Sequence, residues 1–139
     1  MIILDTCTAH TSHSPEAVFA RWADPESWPQ WDIAVREVTF TGQAHLGASG
    51  RLRPVSGPTA RFTVTVYEPG RLFTTASALP GARLIFEHRA DPAARGADVE
   101  VVVGVEGPLA PLWKRLLGRS LRDSAQSNVT GLLTHLDAA

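Results

Sequence analysis

Two polar side chains stand where chemistry could be done in otherwise apolar surroundings, His88 and Asn128. His88 follows Leu84 and Phe86 at strand spacing, so alternation puts all three on one face. An imidazole there can orient a ligand oxygen or serve as a general base near neutral pH. The plainer reading is a hydrogen-bonded core or rim histidine. Asn128 lies in an apolar-periodic C-terminal segment and can offer a ligand both a donor and an acceptor. It too has a plainer role as an internal hydrogen-bonding residue. No catalytic motif surrounds either.

The remaining candidates carry less. His10 and His13, like Cys7 and His10, are three apart on an expected strand and point to opposite faces. No His, Cys or carboxylate grouping has metal-ligand spacing, so neither a metal nor a cofactor is expected. Gly47-Ala48-Ser49-Gly50 lacks the arrangement of a nucleophile elbow. Phosphate-cradling and dinucleotide-binding glycine loops are missing as well. Glu87, Glu100 and Glu106 fall on the face opposite the valines, so no carboxylate pair converges on the expected interior. Arg51 and Arg53 flank Leu52 and are expected to face outward. Asn128-Val129-Thr130 has the form of a glycosylation acceptor, read as accidental in a chain without a signal peptide.

The elements that would position His88 and Asn128 can be read from the whole chain. Its 139 residues suit a single domain spanning 1–139, with 44% hydrophobic and 19% charged residues, the balance of a globular protein. Thirteen basic residues against fourteen acidic ones leave a net charge of −1. The only basic cluster is Lys114, Arg115, Arg119 and Arg122, which reads as a solvated helix face rather than a nucleic-acid footprint. One cysteine excludes an internal disulfide. With no membrane-length apolar run, the expected location is the cytoplasm, as monomer or homodimer.

Residues 2–12 read as a strand. Ser14-Pro15-Glu16 opens a helix carrying Val18, Phe19 and Trp22, and Asp24-Pro25-Glu26 opens a second one that Pro29 is expected to stop. Strands are then expected near 35–41, 50–55, 59–68, 71–78, 83–90 and 97–106, joined by loops short enough to make neighbours antiparallel. From Pro111 to about Leu136 the apolar spacing is helical. Some 25 residues of helix would measure about 38 Å, the full width of a domain this size. Consecutive strands followed by one long helix make the class α+β.

This order resembles the START-like superfamily with its helix-grip fold, which includes the polyketide cyclase/dehydrase group and birch-pollen-allergen-like proteins. The likeness rests on Ser14-Pro15-Glu16-Ala17-Val18-Phe19, Asp24-Pro25 and Trp28-Pro29-Gln30-Trp31. The resemblance implies a curved antiparallel sheet of about seven strands wrapped around the C-terminal helix. It also implies a small, largely apolar ligand, aromatic, polyketide-like or lipid-like, held between them by a carrier or a cyclase/dehydrase-type enzyme. Chaperone-cofactor members of the superfamily supply an alternative, a non-catalytic protein-interaction domain using the basic helix face. Fold likeness does not select between these.

The residues themselves suggest room for a ligand. The strand at 71–78 places Leu72, Thr74 and Ala76 inward, or in the other register Thr75 and Ser77, so small side chains occupy mid-sheet either way. Between Leu121 and Val129 the helix can turn only Ser124, Ala125 and Asn128 inward. The expected ligand wall comprises Trp28 and Trp31, then Phe40, Leu52, Phe62 and Val64. Phe73, Phe86 and His88 continue it on the later strands, and Leu117, Leu121, Ala125 and Asn128 complete it on the helix. Tight helix–sheet packing is the competing use of the small residues. Gly118 and Gly131, inside the same segment, allow either a bend or a close backbone contact.

Overall fold

Alternating apolar residues build one seven-stranded antiparallel sheet, seen in a computed structural model that describes residues 1–138. The strands are β1 (Ile2–Thr11), β2 (Val35–Phe40), β3 (Ser49–Pro54), β4 (Ala60–Glu68), β5 (Leu72–Leu79), β6 (Ala82–Ala93) and β7 (Gly96–Glu106). Helix α1 (Pro15–Trp22) and α2 (Trp28–Trp31) follow β1, with a 3-10 turn at Pro25–Ser27 between them, and α3 (Ala110–Leu117) and α4 (Ser124–Ala138) close the chain. The strand order is β1-β7-β6-β5-β4-β3-β2, so the first strand pairs with the last. Register shifts at Ile3/Asp5, Val35/Glu37 and Val64/Val66 mark bulges, which bend strands and increase their twist. The sheet curves accordingly, and α4 packs over its β1–β7 side. This is the α+β helix-grip architecture.

Cross-strand pairing defines rows of side chains on the inner face. One row runs Cys7, Val101, His88, Phe73 and Tyr67. The next, one pleat further, runs Asp5, Val103, Phe86, Thr75 and Val64. A third holds Val105, Leu84 and Ser77. Further along the sheet Gly50 pairs with both Phe40 and Phe62. A Cβ at Gly50 would lie 2.7 Å from the Phe40 ring and 2.8 Å from the Phe62 ring. The missing side chain lets those two rings stack across β3, 6.0 Å apart and 10° from parallel.

Several expectations change against this register. Alternation in 59–68 puts Phe62, Val64 and Val66 on the inward face and Tyr67 on the other. The bulge at Thr65 instead turns Val66 outward, 37% exposed, and brings Tyr67 inward opposite Phe73. On β5 the alternative register holds: Phe73, Thr75 and Ser77 share the face of His88, whereas Leu72, Thr74 and Ala76 do not. Pro29 does not stop the second helix but sits in the first turn of α2, where a missing N–H costs nothing. Asp91 and Pro92, expected in a loop, continue β6 to a tight turn at Ala94-Arg95.

The C-terminal helix is also broken. Residues 118–123 form turns, so the helix against the sheet has 15 residues and is about 22 Å long. It does not cross the whole molecule. Gly118 is a poor helix former, and Ser120 donates its hydroxyl to the Leu117 carbonyl (3.1 Å), an alternative to helical continuation. A new helix then starts at Ser124 because β1 supplies its cap. Asp5 Oδ2 accepts the backbone N–H groups of Ala125 (2.8 Å) and Gln126 (3.2 Å). Asp5→Ala is expected to cost about 1–2 kcal/mol in urea unfolding, with Asp5→Asn in between, since two helix donors lose a charged acceptor.

Candidate functional site

Helix α4 turns Ala125, Val129 and Leu132 inward at positions i, i+4 and i+7, with Asn128 on the same side, 6% exposed. Helix α1 turns Val18, Phe19 and Trp22 inward from the other end. Its start is set by Ser14, whose hydroxyl accepts the Ala17 N–H (3.1 Å), with Pro15 at the first helical position. Trp22, wholly buried, thereby meets both His88 and Asn128.

The three form one directional chain. The Trp22 indole Nε1–H donates to Asn128 Oδ1 (3.3 Å), and Asn128 Nδ2 lies 3.2 Å from His88 Nε2. His88 Nδ1 lies 2.8 Å from the Phe73 carbonyl, an acceptor only, so Nδ1 carries the proton. Nε2 is then the acceptor for the Asn128 amide, and every hydrogen in the chain has one consistent placement. Burial pushes the His88 imidazole down to about 4, against a smaller opposing effect of the Phe73 and Phe86 carbonyls. The two residues singled out as catalytic or ligand-orienting candidates are thus bonded to each other. The basic nitrogen of His88 is occupied by Asn128 rather than open to a substrate.

The tryptophan cluster is equally well tied. Trp28 Nε1–H donates to the Trp22 carbonyl (3.0 Å), and Trp31 Nε1–H to Ser27 Oγ (3.3 Å), which itself donates to the Asp24 carbonyl (2.7 Å). Trp28 lies 5.2 Å from the Phe62 ring and 6.3 Å from Phe73. Rings therefore cover the inner face of β4 and β5, which α4 does not reach. Beside them Asp32 accepts from Ser127 Oγ (2.9 Å) and the Ala34 N–H (3.0 Å), joining α2 to α4, and burial holds its carboxyl above the ordinary range.

Of the expected ligand wall, Trp28, Trp31, Phe40, Phe62, Val64, Phe73, His88, Ala125 and Asn128 are buried, while Leu52, Phe86, Leu117 and Leu121 are half-buried. The half-buried positions on β6 have a common cause. Helix α4 begins level with the row of Asp5 and Phe86, so Phe86 and, one row beyond, Leu84 extend past its N-terminus. Two surface concavities, of about 490 and 420 Å³, lie elsewhere and include no residue of that wall. The larger lies beside Thr8, His10, Arg89, Asp91, Asp98 and Glu100, where His10 pairs with Asp98 (3.0 Å).

Trp22, Asp5 and Tyr67 join the interior without having been expected as site residues. Helical spacing marks Trp22 as inward, but nothing local shows that its N–H finds Asn128, 106 residues on. Asp5 alternates with Cys7 and Ala9 on one face of β1, a signal available in the sequence. Tyr67 depends on the bulge. Among the described residues no group of His, Cys, Asp or Glu has the arrangement to hold a metal ion, and no helix is long and apolar enough to cross a membrane.

Residues 6–137 match the family described as polyketide cyclase / dehydrase and lipid transport. The fold is similar to that of Ara h 8.0201 (TM-score 0.72, 14% identity, 96% of this chain and 97% of that one). Protein MLL2253 from Mesorhizobium loti is also similar (0.74, 15% identity, 96% and 98%). DynU16, a protein of the dynemicin biosynthetic locus, matches over 95% of this chain and 46% of its own length (0.70, 16% identity). At these identities the likeness is one of fold. No curated protein sequence matches the chain.

Proposed function

The chain belongs to the polyketide cyclase / dehydrase and lipid transport family, and on that footing we propose that it binds a small, largely apolar molecule between the sheet and α4. The observation that supports this reading is the pair of half-buried apolar side chains, Phe86 and Leu84, in adjacent rows of the inner face past the α4 N-terminus, beside a floor that is largely apolar. Aromatic, polyketide-like or acyl molecules fit that lining, since they need few polar partners and gain about 25 cal/mol for each Å² removed from water. The molecule enters past the α4 N-terminus, over Ala125, and parts the rings of Trp28 and Phe62. Thr75 and Ser77 provide the small surface in mid-sheet and the hydroxyls that orient a polar end.

Chemistry, where it occurs, comes from shape. An uncharged His88 with its lone pair engaged is a poor base at neutral pH. Holding a flexible chain in one fold can itself lower a barrier by several kcal/mol. A carrier role needs no more than the lining.

Native mass spectrometry of the purified protein tests for a co-purified small molecule. In parallel, aromatic and acyl compounds are expected to raise the melting temperature of the native protein but not of Ala125→Trp, whose indole fills the entrance. A folded Ala125→Trp protein that keeps the same thermal shift would refute the site.

A further inference from the structure

Helix α3 carries a surface that the fold does not use. Buried Ala110 and half-buried Leu117, seven residues apart, mark its inward side. Leu109, Leu112 and Leu116 recur at three- and four-residue spacing on a second stripe, about 120° around the helix at 3.6 residues per turn. They are 43%, 48% and 61% exposed. Single exposed leucines are ordinary, but three in a row along one helix form a patch.

The charges around this stripe all have one sign. Between Glu106 and Asp123 no acidic residue occurs, while Lys114, Arg115, Arg119 and Arg122 supply four positive charges. The rest of the chain has nine basic residues against fourteen acidic ones, a balance of −5. The near-neutral total therefore hides a concentrated basic patch on an otherwise acidic molecule. Among the described residues only Arg122 of the four has an ion-pair partner, its neighbour Asp123 at 3.8 Å.

The helix is also held in place. The Leu109 N–H donates to the Gly81 carbonyl (2.9 Å) and the Trp113 indole N–H to the Pro80 carbonyl (2.8 Å), tying α3 to the β5–β6 turn. The Leu109 side chain leans on Gly81, and Leu112 and Leu116 are presented outward on a fixed ridge.

We propose that this face of α3 docks the protein peripherally on an anionic phospholipid bilayer. Leucine side chains enter the boundary between headgroups and acyl chains, and the flanking cations meet lipid phosphates. Lys114 lies on the far side of the helix from Leu112 and Leu116, whereas Arg115 flanks them, and Arg119 and Arg122 follow in the turns of 118–123. Charge complementarity favours an anionic bilayer over a second copy of this chain, which would bring the same excess of positive charge. The proposal is independent of what the interior holds.

Vesicle flotation of the full chain tests it. Binding is expected to phosphatidylcholine vesicles containing phosphatidylglycerol, weakly if at all to phosphatidylcholine alone, and to fall as salt is raised. Each basic residue near such a surface contributes about fivefold to partition, so the double variant Arg115→Glu, Arg119→Glu should lose about twentyfold or more. Leu112→Ser with Leu116→Ser should lose at least about tenfold at an unchanged melting temperature, because both side chains are already exposed. Equal partition onto both vesicle types, or partition that survives charge reversal, overturns the proposal. So does a dimer that dissociates on Leu112→Ser, or a protein partner that takes this face while vesicles do not.

Discussion

Gly131→Ala is expected to destabilise the protein by about 3 kcal/mol or more, the reverse of what its place in a helix suggests. In an ordinary helix interior alanine is better than glycine by about 1 kcal/mol. Here a Cβ would overlap the backbone carbonyl oxygen of Trp31 and lie 3.0 Å from its carbonyl carbon. The obstacle is main chain, so no rotamer change relieves it. Helix α4 would have to retreat from α2, loosening the Ser127–Asp32 bond and the tryptophans that cover the inner face. A melting temperature lower by about 10 °C is the expected readout for a chain of this size. Thr130→Ala, at the exposed neighbouring position, should stay within about 0.5 kcal/mol of the native protein. A Gly131→Ala protein as stable as the native one would mean that α2 and α4 do not meet this closely.

Cutting the buried hydrogen-bond chain should have an effect of similar size. Asn128→Leu keeps the volume but leaves the Trp22 indole N–H and His88 Nε2 without partners in a dry interior. Each orphaned group costs about 1–3 kcal/mol, so a loss of about 3–5 kcal/mol is expected. The same chain predicts acid sensitivity. His88 titrates at about 4 in the folded protein, below the ordinary 6.5, so the unfolded chain binds the proton first as pH falls. Its contribution to stability is complete above about pH 6.5 and is lost between there and pH 4, amounting to about 3 kcal/mol. Asp32 works in the opposite sense, because its raised carboxyl takes up a proton more readily in the folded state. Urea titrations at pH 7, 5.5 and 4.5 read the balance, and His88→Gln should flatten the slope across that window. An unchanged slope would show that His88 is not the group responsible.

Much of the architecture is local in origin and was legible for that reason. The start of α1 follows from Ser14-Pro15-Glu16 alone, and alternation placed His88 on a face with Leu84 and Phe86, as the register shows. The α+β class follows from the order of elements, and the helix-grip form is what the family resemblance implied. Misreadings arose where one residue's competition decided. Thr65 inserts into β4 and reverses the sense of Val66 and Tyr67. On β5 two alternations were both plausible, and only pairing with β6 selected Phe73, Thr75 and Ser77.

The break in the C-terminal helix shows the limit more sharply. Apolar spacing runs from Leu112 to Leu136 without interruption in period, yet the chain turns at 118–123 because Asp5, about 120 residues away, caps a new helix at Ser124. Likewise Gly131 could be read as a bend or a contact until Trp31 was found against it.

Sequence alone determined the element types, the inward faces of α1, β6 and β7, and the presence of two polar residues in an apolar setting. Periodicity and capping act over a few residues, so those features need no partner. Tertiary structure alone decided that His88 and Asn128 bond to each other and to Trp22, and that α4 starts beside Asp5. Hydrogen bonds in a dry interior depend on which distant groups arrive together, and no local pattern carries that information.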